Sequence, residues 1–68
     1  MNTTAKTWEA VHTVIGFIKL NGLTSMTRAK VEEISKRYSA DLEDVKSMAF
    51  THYNIWGETR NAEYVNSL

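Results

Sequence analysis

The residues whose types could do chemistry are few: His12 and His52, the adjacent carboxylates Glu32-Glu33 and Glu43-Asp44, and the cations Arg28, Lys30, Lys36, Arg37 and Lys46. A structural zinc ion takes four ligands, drawn from thiolates and closely spaced imidazoles. The chain has no cysteine and only two histidines, forty positions apart, so a zinc site lacks its ligands. His52 falls on an apolar stripe and reads as a partly buried histidine with one hydrogen bond. The carboxylate pairs sit at helical surface positions, whereas acid/base catalysis needs them placed in a cleft. There is no glycine-rich phosphate loop. A chain of 68 residues also struggles to enclose a ligand pocket, which runs from roughly 300 Å³ upward. The expectation is a protein with no catalytic residues, no metal and no cofactor.

Size narrows the remaining classes. The chain reads as one domain, residues 1 to 68, near the lower limit for autonomous folding. A chain this short buries only about 60% of its unfolded surface. Without disulfides or metal, stability must come from helix packing, with self-association as a supplement. Eight Lys plus Arg balance eight Asp plus Glu, which removes the simplest argument for nucleic acid, a strongly basic domain. Hydrophobic residues make up 43%, too many for a disordered chain. The longest apolar run, Val14 to Ile18, is interrupted by Gly16, so no membrane span is expected. Met1 to Ala5 shows no basic stretch leading into an apolar one, so no signal peptide is expected and the cytoplasm is the default location.

Hydrophobic periodicity predicts all-α structure. Trp8, Val11, Val14, Ile15 and Ile18 recur at steps of three and four, which predicts a first helix over residues 5 to 20. Asn21-Gly22 supplies its C-cap, with Lys19 in the last turn opposing the negative dipole end. Residues 23 to 27 read as a polar connection, and either Ser25 or Thr27 caps a second helix over about 28 to 38. That helix carries a narrow stripe of Val31, Ile34 and Tyr38, with Ser35 as a small neighbour. Asp41 is the expected N-cap of a third helix, followed by Glu43 and Asp44 at the positive dipole end. Leu42, Val45, Met48, Ala49, His52 and Trp56 form its apolar stripe, and Gly57 ends it. Ile15, Ile34, Val45 and Trp56 are expected in one core cluster. Glu58 to Leu68 reads as a short fourth helix through Ala62, Tyr64 and Val65.

Residues 31 to 50 resemble the helix-turn-helix motif of DNA-binding regulators. That motif has an apolar residue at its fourth position, a small one at the fifth, and buried residues at the eighth, tenth, fifteenth and eighteenth. Here those slots hold Ile34, Ser35, Tyr38, Ala40, Val45 and Met48. The ninth slot, usually glycine in a left-handed conformation, holds Ser39, at a cost of roughly 1 kcal/mol. The resemblance implies a three-helix domain, with the fourth helix appended, whose third helix reads the major groove. It places Asp41, Leu42, Glu43, Lys46 and Ser47 toward bases, and the basic start of the second helix against phosphates. Arg28 and Lys30 there, with Lys36 and Arg37 further along, are the anion or DNA-backbone candidates, together with Lys46. Two carboxylates leading the reading helix oppose that use, because phosphate charge dominates affinity. The competing reading pairs Glu32 and Glu33 with Lys36 and Arg37 on a solvated helix.

The apolar surplus points elsewhere. Ala10, Phe17 and Leu20 widen the apolar arc of the first helix to around half its circumference. Phe50 and Ile55 flank the stripe of the third, in the run Phe50-Thr51-His52-Tyr53-Asn54-Ile55-Trp56. A helix packing against one partner needs a narrower stripe. Either the C-terminal segment folds back over the excess, or Phe17, Leu20, Phe50, Tyr53 and Ile55 form a protein interface or homodimer seam. The leading expectation is a small non-enzymatic regulatory or accessory protein acting by protein–protein contact, dimeric at micromolar concentration. An inhibitor or adaptor borne by a phage or mobile element would be of this kind. The alternative is a helix-turn-helix transcriptional regulator.

Overall fold

A computed structural model describes residues 3–68, Thr3 by its backbone alone; Met1 and Asn2, read above for a leader, lie outside the described residues. Four helices follow one another, α1 (Thr3–Asn21), α2 (Arg28–Arg37), α3 (Leu42–Ile55) and α4 (Thr59–Ser67), with no strand among the described residues. The domain is all-α. No helix is long and apolar enough to cross a membrane.

Local capping chemistry sets the helix boundaries. Asn21 donates its side-chain amide to the Phe17 carbonyl at 3.1 Å. Gly22 follows with φ +92°, a conformation without penalty only for glycine. The connection beyond it is a 3-10 turn, Leu23–Ser25, closed by the Ser25 hydroxyl donating to the Gly22 carbonyl at 2.6 Å. Ser25 is thereby engaged elsewhere, and Thr27 is the N-cap of α2, accepting from the Lys30 amide at 3.2 Å. Asp41 caps α3 and accepts from the Asp44 amide at 3.3 Å.

The C-terminal ends of α2 and α3 close in the same way. At α3 the Glu58 amide donates to the Tyr53 carbonyl (2.8 Å) and the Gly57 amide to that of Asn54 (3.0 Å), a Schellman motif with Gly57 at φ +75°. At α2 the Ala40 amide donates to the Ser35 carbonyl (2.8 Å) and the Ser39 amide to that of Lys36 (3.1 Å). The left-handed position is held there by Ser39, at φ +56°. A side chain stands where glycine is the unstrained choice.

Contacts fix the helix directions. A hydroxyl–hydroxyl bond of 2.8 Å joins Thr13 to Tyr38, and Lys30 lies 5.3 Å from the Phe17 ring, so α1 and α2 are antiparallel. Thr4 and Thr7 lie beside Asp44, Ser47 and Met48, while Ile15 and Lys19 lie beside Trp56, so α1 and α3 run the same way. Tight reversal at Gly57 returns α4 along α3. Lys46 and Arg28 both donate to the Leu68 backbone oxygen, and the Tyr64 hydroxyl donates to that of Met26 at 2.7 Å.

The core collects Ala10, Val11, Val14 and Ile18 from α1, Val31 and Ile34 from α2, Val45, Ala49 and Tyr53 from α3, and Ala62 and Val65 from α4. Met26 joins them with no exposed surface, so the supposedly polar connection carries a core anchor. Ile34 and Val45 share the cluster and Ile15 packs on its edge, but Trp56 is 53% exposed and outside it. Trp56 follows the last helical residue of α3, where the helix overhangs the core and leaves nothing to close over the indole. Ser35 is buried between helices with its hydroxyl unpartnered among the described residues.

Candidate functional site

The fourth helix covers only part of the apolar surplus. Tyr53, expected at an interface, is 3% exposed, because α4 turns back directly over it. Burial, and then the negative charge of Glu58, push its phenol above the usual range. Phe17 and Phe50 are half-buried against the core, Phe17 beneath the Lys30 ammonium, so they serve the fold as much as any surface. Among the described residues three large apolar side chains stay in water: Leu20 (86% exposed), Ile55 (69%) and Trp56 (53%). Because α1 and α3 are parallel, all three lie at one end of the molecule, where both helices finish.

Between those helix ends the core opens outward. A cleft of about 290 Å³ is lined by Ile15, Ile18 and Lys19 of α1, by Tyr53 and Trp56, and by Glu58 and Asn61 at the start of α4. Its floor is core material, since Ile18 is 6% exposed and Tyr53 almost buried. Trp56 forms one wall, its ring edge-on to Tyr53 with centroids 6.0 Å apart. Lys19 and Glu58 stand on opposite banks. Both are exposed, and neither forms an ion pair among the described residues.

The wall is braced from below. His52, half-buried as expected, makes no side-chain hydrogen bond among the described residues; its ring lies between two indoles instead. Trp8 is 4.2 Å away and Trp56 5.7 Å, centroid to centroid, and His12 lies tilted by 58° against Trp8 at 4.6 Å. Aromatic contacts of this kind contribute about 0.5–1.5 kcal/mol each beyond burial, enough to hold a half-exposed indole in place. Among the described residues no group of three or more metal-capable side chains comes together.

Four of the five cations expected at an anion site are already engaged. Arg28 pairs with Glu32 at 3.1 Å, Lys30 with Glu33 at 3.4 Å, and Arg37 with the same Glu33 carboxylate at 3.2 Å. The expected pairing of Glu33 with Arg37 is present, but Glu32 takes Arg28, its i−4 neighbour, and Lys36 forms no ion pair among the described residues. The helix-turn-helix resemblance places Lys46 toward DNA. It is 8% exposed, with its ammonium on the Leu68 backbone oxygen, because α4 closes over that side of α3.

Sequence patterning passed over Trp56, Glu58 and Asn61 as cleft residues, and gave Lys19 only a role at the helix end. One signal was available: an aromatic directly before the terminating Gly57 stands past the last full turn. No family model, curated protein or solved structure matches the chain.

Proposed function

We propose that this chain is a small, non-enzymatic regulatory or accessory protein that acts by protein–protein contact through the cleft end of α1 and α3. One observation carries the reading: a cleft with a core-residue floor and a half-exposed Trp56 as its wall, at the end of the molecule where Leu20 and Ile55 are also exposed. A half-exposed tryptophan flanked by the tilted His52 ring and the edge-on Tyr53 ring suits an interface anchor, since Trp is enriched among residues costing 2 kcal/mol or more on truncation. At about 290 Å³ the cleft has room for one or two protein side chains.

DNA binding is less well supported. Arg28 pairs with Glu32, Lys30 and Arg37 share Glu33, Lys46 is buried, and the exposed start of α3 carries Asp41, Glu43 and Asp44, leaving Lys36 as an exposed cation without an ion pair among the described residues. The acidic start of α3 repels the phosphate backbone, the main source of affinity. The test compares wild type with Trp56→Ala and with Arg28→Ala/Lys30→Ala in affinity capture from nuclease-treated and untreated lysate of the source cell. Each variant is first shown to be folded by circular dichroism. Loss of capture with Trp56→Ala, indifferent to nuclease, is the expected outcome. Nuclease-sensitive capture lost with the double variant would transfer the assignment to nucleic acid.

A further inference from the structure

Resting on that reading, we infer that the cleft receives a basic side chain of the partner protein, an arginine or lysine whose alkyl stem lies along the floor and whose charged head meets Glu58 beside the Trp56 indole. The floor sets the first requirement. Ile15, Ile18 and Tyr53 supply apolar surface in a space of about 290 Å³. A long aliphatic stem suits that surface, since lysine and arginine bury their methylenes while their heads stay near water.

Charge selects the head group. Glu58 is exposed and forms no ion pair among the described residues. Its carboxylate is nevertheless tethered, because the Asn61 side-chain amide, one turn further along, donates to Oε1 at 3.3 Å. Both residues line the cleft. The charge reaches the floor: after burial, it is what raises the Tyr53 phenol. Trp56 completes the arrangement, since its half-exposed indole walls the same space and indole is the aromatic ring that attracts a cation best. A carboxylate beside an open indole, above an apolar floor, recognises a cation on an alkyl stem. The same carboxylate and the negative ring face repel an acidic side chain.

Lys19 on the opposite bank works against a second cation, and two features limit its effect. It sits in the last turn of α1, where the helix carbonyls attract its ammonium. Its exposed, flexible stem also lets the head turn toward water. Glu58 is held and Lys19 is not, so the site is electronegative. Lys19 then weakens the binding of a basic group without preventing it.

The test is titration of the full chain with N-acetyl-arginine amide and the matching norleucine and glutamate compounds, followed by amide NMR shifts. Single side chains bind weakly, so the titrations extend to about 100 mM. The arginine compound should shift residues 15–19 and 53–61 and bind at least threefold more tightly than norleucine, with glutamate weaker still. Raising salt from about 0.02 to 0.5 M should weaken arginine binding and spare that of norleucine. Glu58→Gln and Trp56→Ala should each reduce arginine binding at least threefold, and Lys19→Gln should increase it, each variant first shown to be folded by circular dichroism. Norleucine or glutamate binding as tightly as arginine overturns the inference. So do shifts lying elsewhere, indifference to Glu58→Gln, or no binding at all. Any of these leaves the protein-contact reading standing, because that rests on Trp56-dependent capture of a protein. Arginine binding alongside capture indifferent to Trp56→Ala would sink that reading instead.

Discussion

Met26→Ala is the sharpest test of how this domain is held together. Met26 has no exposed surface, although it lies between a 3-10 turn and the N-cap of α2. Its backbone carbonyl accepts the Tyr64 hydroxyl at 2.7 Å, which ties α4 to the loop. Truncating a buried Met, Leu or Ile to alanine costs about 2–5 kcal/mol, through lost transfer energy and the cavity left behind. Total stability at about 0.05–0.15 kcal/mol per residue amounts to roughly 3–10 kcal/mol for a chain of this length. The substitution therefore removes roughly a fifth of the margin at the least. At about 4–8 °C per kcal/mol for a domain of this size, a loss near 3 kcal/mol lowers Tm by roughly 12–24 °C. Thermal melts followed at 222 nm measure this, with Leu20→Ala as the control at an exposed position. A Tm within about 4 °C of wild type for Met26→Ala would refute the placement of Met26 in the core. So would an equal loss in the Leu20 control.

Three further outcomes are expected. Ser39→Gly relieves the left-handed strain at φ +56° but adds chain entropy to the unfolded state; the balance should raise Tm by a few degrees, whereas Ser39→Val should lower it. Ser35→Ala removes a buried hydroxyl without a partner, so urea unfolding should give equal or up to about 1 kcal/mol greater stability; a loss above about 1 kcal/mol would mean that the hydroxyl has an acceptor. Tyr53 keeps its proton to higher pH in the folded than in the unfolded state, so its contribution is complete below the unfolded pKa of about 10 and declines as pH rises through the folded value. Stability should therefore fall above about pH 10, and Tyr53→Phe should flatten that fall, as read by denaturant titrations across the alkaline range.

Helix existence and type were legible along the chain because they depend on groups a few residues apart. Thr27 and Asp41 cap through amides three positions on, and Asn21-Gly22 and Gly57 end helices by conformations that need no tertiary partner. Spacings of three and four likewise placed Val11, Val14, Ile18, Ile34 and Val45 on inward faces. Depth along the helix axis was not legible. Tyr53 and Trp56 are three positions apart on neighbouring parts of one face, so periodicity alone does not separate them. Tyr53 lies beneath the returning α4 and is buried, while Trp56 lies beyond the end of the core and half of it meets water. The same holds for Met26, which no periodic pattern in a connecting loop could mark, and for Lys46, which looks solvent-facing until α4 brings the Leu68 oxygen to its ammonium. Caps and periods are set by covalent neighbours. Burial is set by which helix covers which, and only the packed chain decides whether an apolar side chain at a helix end belongs to the core or to a surface.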